Sequence, residues 1–167
     1  MSIKNHKPSA KSVYKQGYYV LQNPEKYVGD TTKIIYRSSW EYRFCRYCDL
    51  TADITCWSSE PIGIPYHTPF DKPSSRPHTY YVDFFMRVKY SDTETADYII
   101  EVKPQSSVDK PGKLSNTAST KQIKAHNDRT KLWVVNQSKW NAAILYAQKM
   151  GYQFQVITEE FLYNKGV

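Results

Sequence analysis

Helix-like and strand-like hydrophobic spacings alternate along this chain. Trp40, Phe44, Tyr47 and Cys48 recur at helical intervals, and Ser38 followed by Glu41 matches a capping box, so a helix is predicted to begin near residue 38. The next stretch, ITCWSSEPIGIPYHTPF (54–70), is β-prone but interrupted by Pro61, Gly63, Pro65 and Pro69, which limits it to an edge or bulged strand. TYYVDFFMRVKY (79–90) is dense in aromatic and β-branched residues and reads as the strongest strand. SDTETAD turns the chain back into YIIEV, which predicts an antiparallel hairpin. After a polar loop, Ser119 with Gln122 forms a second capping box and predicts a helix over 120–135. Ser138 precedes a further helix, KWNAAILYAQKM, stopped by Gly151. YQFQVIT alternates as a last strand and EEFLYN makes a final helical turn. The order α-β-β-β-α-α-β-α predicts an α/β fold, a mixed sheet flanked by helices.

Length and composition narrow this picture. At 167 residues the chain forms one domain with room for a sizeable core, and 40% hydrophobic with 15% aromatic residues excludes a wholly disordered protein. Residues 1–20 are polar and basic and are expected to form a flexible arm, which leaves 21–167 as a single domain. Lys and Arg total 23 against 16 Asp and Glu, a net charge of +7 that favours polyanionic partners, nucleic acid before anionic membrane. No apolar run approaches the roughly 20 residues of a membrane span, and the N-terminus lacks the apolar segment of a secretory signal. Three cysteines suit a reducing compartment, so a soluble intracellular protein is expected.

The candidate chemistry collects on the predicted hairpin. Asp83 interrupts an otherwise apolar strand, and an unpartnered buried carboxylate is costly. Glu101 and Lys103 end the partner strand and share one face. Opposed residues on antiparallel strands lie about 5 Å apart, so Asp83 and Glu101 are placed to share a divalent cation. Magnesium suits such a pair of oxygen ligands, and Lys103 beside it would orient or deprotonate a water or stabilise a phosphoryl transition state. The competing explanation is a structural salt-bridge cluster. Glu41 has two roles open to it: a return bond to the Ser38 N–H, or a third carboxylate at the site.

With VDFF followed by EVK, after a helix that carries a Glu, the chain resembles the PD-(D/E)xK superfamily, the restriction-endonuclease-like fold; Val82 stands where its motif normally has Pro. NPEKYVGD, IIYRSSWEYRFCRYCDL, WSSEPIGIPY, YIIEVKP and NQSKWNAAILYAQKMGYQFQVITEEFL resemble, in order, the head-completion nuclease family of T4-like phages, itself related by fold to transposon-end nucleases. The resemblance implies a metal-dependent deoxyribonuclease that uses Mg2+, with Mn2+ as a substitute. Asp83, Glu101 and the Val102 carbonyl would be its ligands, Lys103 would act on the attacking water, and Glu41 would assist. It also implies processing of DNA ends before tail attachment, in the host cytoplasm or at the virion head vertex, with head or portal proteins as partners. A non-catalytic head or neck protein that binds DNA or portal is the rival from another class. An RNA-binding module ranks low because no aromatic RNP-like stretch is present.

For DNA contact the candidates are Arg37, Arg43 and Arg46 near the first helix, Lys110 and Lys113 in the polar loop, and Lys121, Lys124, Arg129 and Lys131 on the second helix. A solvated helix face is the alternative. Glu60 reads as an edge-strand charge rather than a ligand, and Gln122 as a cap residue or a phosphate contact. Cys45, Cys48 and Cys56 with His67 do not form a convincing zinc set, because two of the cysteines fall on a helix with the fourth ligand distant.

Overall fold

The computed structural model describes residues 16–165. The part of the expected N-terminal arm at 1–15 lies outside the described residues. The rest of it, 16–20, is built into the domain. Gly17–Tyr18 (β1) pairs with Ile35–Tyr36 (β2), and Tyr19 is buried in the core.

The first helix, α1 (Ser39–Leu50), starts where the capping signal lies, with Ser38 Oγ accepting from the Glu41 N–H at 3.1 Å. Its apolar stripe buries Phe44, Cys45 and Cys48. The main sheet has the order β3-β6-β7-β8, from Ile54–Ser59 (β3), Phe84–Lys89 (β6), Thr95–Val102 (β7) and Gln153–Ile157 (β8). β3 is an edge strand with an irregular register between Ile54 and Cys56, and the prolines of the 54–70 stretch all lie beyond its end. β6 and β7 form the antiparallel hairpin, and β8 adds in parallel to β7.

The stretch 79–90 is not one strand. It splits at Val82–Asp83 into β5 (His78–Tyr81), which pairs with β4 (Gly63–Tyr66) in a separate small sheet, and β6. The cause lies on the opposite strand. Glu60, Pro61 and Ile62 face Val82 and Asp83, a bulge closed by Glu60 N–H to Asp83 O (2.9 Å) and Val82 N–H to Ile62 O (3.2 Å). Pro61 has no N–H to continue the ladder. Glu60 itself sits in the left-handed region at φ 48°, the only non-glycine to do so among the described residues. The bend reverses the buried face. Tyr80 and Val82 join the core cluster on one side of the sheet, whereas Phe84 and Met86 join the cluster on the other.

The two helices expected over 120–135 and 139–150 are one helix, α3 (Thr120–Met150). Nothing between them breaks a helix, and Ser138 Oγ bonds back to Val134 O at 3.1 Å instead of capping a new start. The Ser119–Gln122 capping box and left-handed Gly151 bound this helix as expected. A short turn, α2 (Gln105–Val108), lies in the polar loop, and α4 (Glu159–Asn164) closes the chain.

β7 is buried on both faces. Tyr98, Ile100 and Val102 pack with α1, Ile157 and Leu162, while Ile99 packs with Ile64, Val82, Ala143 and Ala147 from the β4–β5 and α3 side. Glu101 and Lys103 alternate onto that second face, so the end of β7 delivers its charges beside the bend at Asp83.

Candidate active site

Backbone geometry brings the site together. Phe84 pairs with Ile100, so the next step along both strands sets Asp83 against Glu101. Val102 N–H donates to Asp83 Oδ2 at 2.8 Å, which takes over the ladder bond that β6 no longer makes. The following N–H, from Lys103, turns to Ile157 O on β8. Peptide groups alternate sides along a strand, so the Val102 carbonyl opens on the Asp83 side.

Lys103 Nζ lies 2.8 Å from Glu101 Oε1 and 3.8 Å from Asp83 Oδ2. The other Glu101 oxygen, Oε2, accepts from the Tyr80 hydroxyl at 2.5 Å. Glu101 is buried, with only 2% of its side chain exposed, whereas Asp83 and Lys103 keep 20% and 29% and so open the cluster to solvent. Burial and then the Glu101 charge push the Asp83 carboxyl well above the usual carboxylate range, with Lys103 only partly opposing them. Burial also raises Glu41, against the bonds from Arg37 and Ser38 and the Lys103 charge. Burial alone would lower Lys103, but Asp83 and Glu101 outweigh it and hold the ammonium above its ordinary range. Two carboxylates therefore contact one lysine, and the charge of Glu41 reaches both Asp83 and Lys103 from α1.

Glu41 does not make the expected return bond to Ser38 N–H. Its Oε2 accepts instead from Arg37 N–H at 2.7 Å, while Oε1 accepts from Ser38 Oγ at 3.2 Å. Its capping bonds and its electrostatic reach to Asp83 and Lys103 thus coexist in one conformation. Glu60, expected as an edge-strand charge, is paired within the protein. The Arg37 guanidinium grips it with Nε to Oε1 and Nη2 to Oε2, both at 2.9 Å. Arg37 is thereby engaged within the protein.

Among the described residues, no three His, Cys, Asp or Glu side chains converge as a metal cluster. Magnesium asks for less, since it takes one or two carboxylates from protein and keeps several waters. Asp83, Glu101 and the Val102 carbonyl meet that requirement, with Lys103 2.8 Å from Glu101 and 3.8 Å from Asp83. Cys45 and Cys48 are fully buried core thiols, pushed well above their usual range by burial, and Cys56 lies on β3.

The expected DNA-contact residues divide into groups. At helical spacing, Lys121, Lys124 and Lys131 run along one exposed side of α3, interrupted by Asp128. Arg129 turns instead towards the preceding loop, where it lines a cavity of about 440 Å³ with Lys113, Gln122 and His126. Gln122 is occupied by its cap, accepting from Ser119 N–H at 2.8 Å. Lys110 lies over the Trp133 ring, Lys131 over Phe70, and Arg43 over Trp40 and Tyr163. Arg46 is exposed on α1.

A family model, TnsA-like endonuclease N terminal, matches residues 51–159, which span β3 through the start of α4 and include Asp83, Glu101 and Lys103. The chain belongs to this family. It is also 34% identical over 146 residues to the head completion nuclease of Enterobacteria phage T4, covering 87% of this chain and 92% of that protein. The T4-like head-completion resemblance and the restriction-endonuclease-like fold both stand. Glu41 lies outside the matched segment. Tyr80 was missed at the sequence level, because its contact with Glu101 depends on the bend at Val82–Asp83, and a continuous strand would have carried it elsewhere. No helix among the described residues is long and apolar enough to cross a membrane.

Proposed function

We propose that this protein is a magnesium-dependent DNA nuclease, with manganese as an alternative ion. Asp83 and Glu101 would hold the ion together with the Val102 carbonyl. When bound, magnesium supplies a Lewis acid that offsets phosphate charge and makes water a better nucleophile at neutral pH. The Lys103 ammonium, held protonated by its two carboxylate neighbours, is suited to hydrogen-bond the scissile phosphate and stabilise its developing charge, and less suited to accept a proton. Glu41 would orient a water from the α1 side of the cluster.

The observation that carries this reading is the unbalanced pair, two carboxylates facing one another with Lys103 as the cation between them. A purely structural cluster would be closed off, whereas Asp83 and Lys103 keep 20% and 29% of their side chains open to solvent. The relation to a phage head completion nuclease supports a role in processing DNA ends during head completion, before tail attachment. DNA, and head or portal proteins, are the partners this reading implies, in the host cytoplasm or at the head vertex. The test is cleavage of supercoiled and linear DNA by the purified protein, with magnesium and with chelator. Magnesium-dependent cleavage is expected, and equal cleavage under chelation, or none under either condition, would reject the proposal.

A further inference from the structure

We propose that Tyr80 is a positioning residue for the cation site: its hydroxyl holds Glu101 Oε2 so that Oε1 is presented to a divalent ion. This rests on the reading of Asp83 and Glu101 as the metal-binding pair. The two carboxylates differ in how they are held. Asp83 is short and fixed by a backbone donor, Val102 N–H, at 2.8 Å. Glu101 has one more rotatable bond, and its fixed partner is the Tyr80 hydroxyl at 2.5 Å. Lys103 is its other contact, but that ammonium sits on a flexible stem and bonds Oε1, the oxygen an ion would take. Tyr80 is thus the group that decides which Glu101 oxygen faces the cleft.

Tyr80 is itself rigid. It is 4% exposed, its backbone pairs with Ile64 in the β4–β5 sheet, and its ring meets Tyr66 edge-on at 6.5 Å. The Lys139 ammonium of α3 lies 5.7 Å from its ring centroid, a contact that draws electron density from the ring and favours the hydroxyl as a donor. A line of contacts therefore runs from α3 through Tyr80 to Glu101. Partners of this kind, one layer behind the ligands, set ligand orientation, and losing one typically weakens metal binding by about 10- to 100-fold.

The competing account is that the hydroxyl only satisfies a buried carboxylate, in which case its loss lowers stability and leaves ion binding alone. Calorimetric titration of the full chain with Mn2+ and Mg2+, wild type against Tyr80→Phe, separates the two. We expect Tyr80→Phe to bind both ions about 10-fold more weakly or worse. For a variant too unstable to titrate, the rise in Tm on adding Mn2+ reads the same affinity, and that rise should shrink relative to wild type. Wild-type affinity in Tyr80→Phe, or an undiminished rise in Tm, overturns the assignment while leaving the metal site intact. A wild-type protein that binds neither ion overturns both.

Discussion

Asp49, at the end of α1, and Asp83, at the bend between β5 and β6, are both carboxylates set into the interior, and they are surrounded in opposite ways. Asp49 is completely buried and meets neutral donors: Tyr19 hydroxyl at 2.9 Å, Gln22 N–H at 2.7 Å and Asn23 N–H at 3.0 Å. Nearby, Lys26 Nζ caps α1 through the carbonyls of Cys48, Asp49 and Thr51. Every group there has a fixed protein partner, and the result ties the N-terminal segment to the first helix. Asp83 meets a second carboxylate, one backbone donor and a more distant ammonium, and it keeps an opening to solvent. Saturated hydrogen bonding makes a buried charge structural. A like-charge pair with incomplete compensation leaves a place for a cation.

Exchanging each aspartate puts this contrast at greatest risk. Asp83→Ala is expected to lower cleavage at least a thousandfold (an order-of-magnitude figure for removing a metal ligand) and to weaken ion binding, while stability stays within about 1 kcal/mol because a repulsion leaves with the bond. Asp49→Ala should do the reverse. It strands three donors and should cost about 3 kcal/mol or more, with ion affinity unchanged in whatever folds. Denaturant unfolding and calorimetry on both variants decide the matter, and a stable Asp49→Ala that has lost ion binding would undo the comparison.

The two lysines sharpen it. Lys103→Met should lower single-turnover cleavage by about a hundredfold or more at saturating DNA and magnesium, with ion affinity nearly kept, since the loss falls on the transition state. Lys26→Met should cost about 1–2 kcal/mol of stability from its helix-capping bonds and leave turnover alone. Near-normal cleavage by Lys103→Met would make that lysine a simple ion-pair partner.

A smaller effect follows from pH. A carboxyl raised in the folded state binds its proton more readily there than in the unfolded chain. The contribution of Asp83 and Glu41 is therefore largest in acid, and it is lost as pH climbs from the unfolded value of about 4 through the raised folded values. In metal-free protein, Tm should fall over that window more steeply for wild type than for Asp83→Asn. Superimposable profiles would show that the Asp83 carboxyl is not raised by folding.

The smallest effect concerns charges far from either carboxylate. Reversing Lys121 and Lys124 together should weaken DNA binding alike for unrelated sequences and reduce the salt slope by about 2, one counterion per lysine lost. Cleavage by bound enzyme should be unaffected. A sequence-dependent loss would mean that this side of α3 reads bases.

Local signals in the chain were enough for much of this. Ser38, Ser119 and Gly151 mark helix ends because caps are satisfied by neighbours in sequence, and the β6–β7 hairpin follows from alternation and a turn. Asp83, Glu101 and Lys103 were legible as a set because a hairpin register relates residues by simple counting. Tertiary structure alone decided where the long apolar stretch breaks. That depends on a bulge at Glu60–Ile62, in a strand met only after folding, and the break turns Tyr80 towards Glu101. It also decided that Arg37 spends its charge on Glu60 and that Arg129 faces a different side from Lys121 and Lys124. The union of two predicted helices into α3 belongs here as well, since a serine inside a polar stretch reads equally as a cap or as an interior residue until its neighbours are placed. Pattern along a chain encodes which groups are near in sequence, while partners across bends and sheets are chosen only when the backbone has closed upon itself.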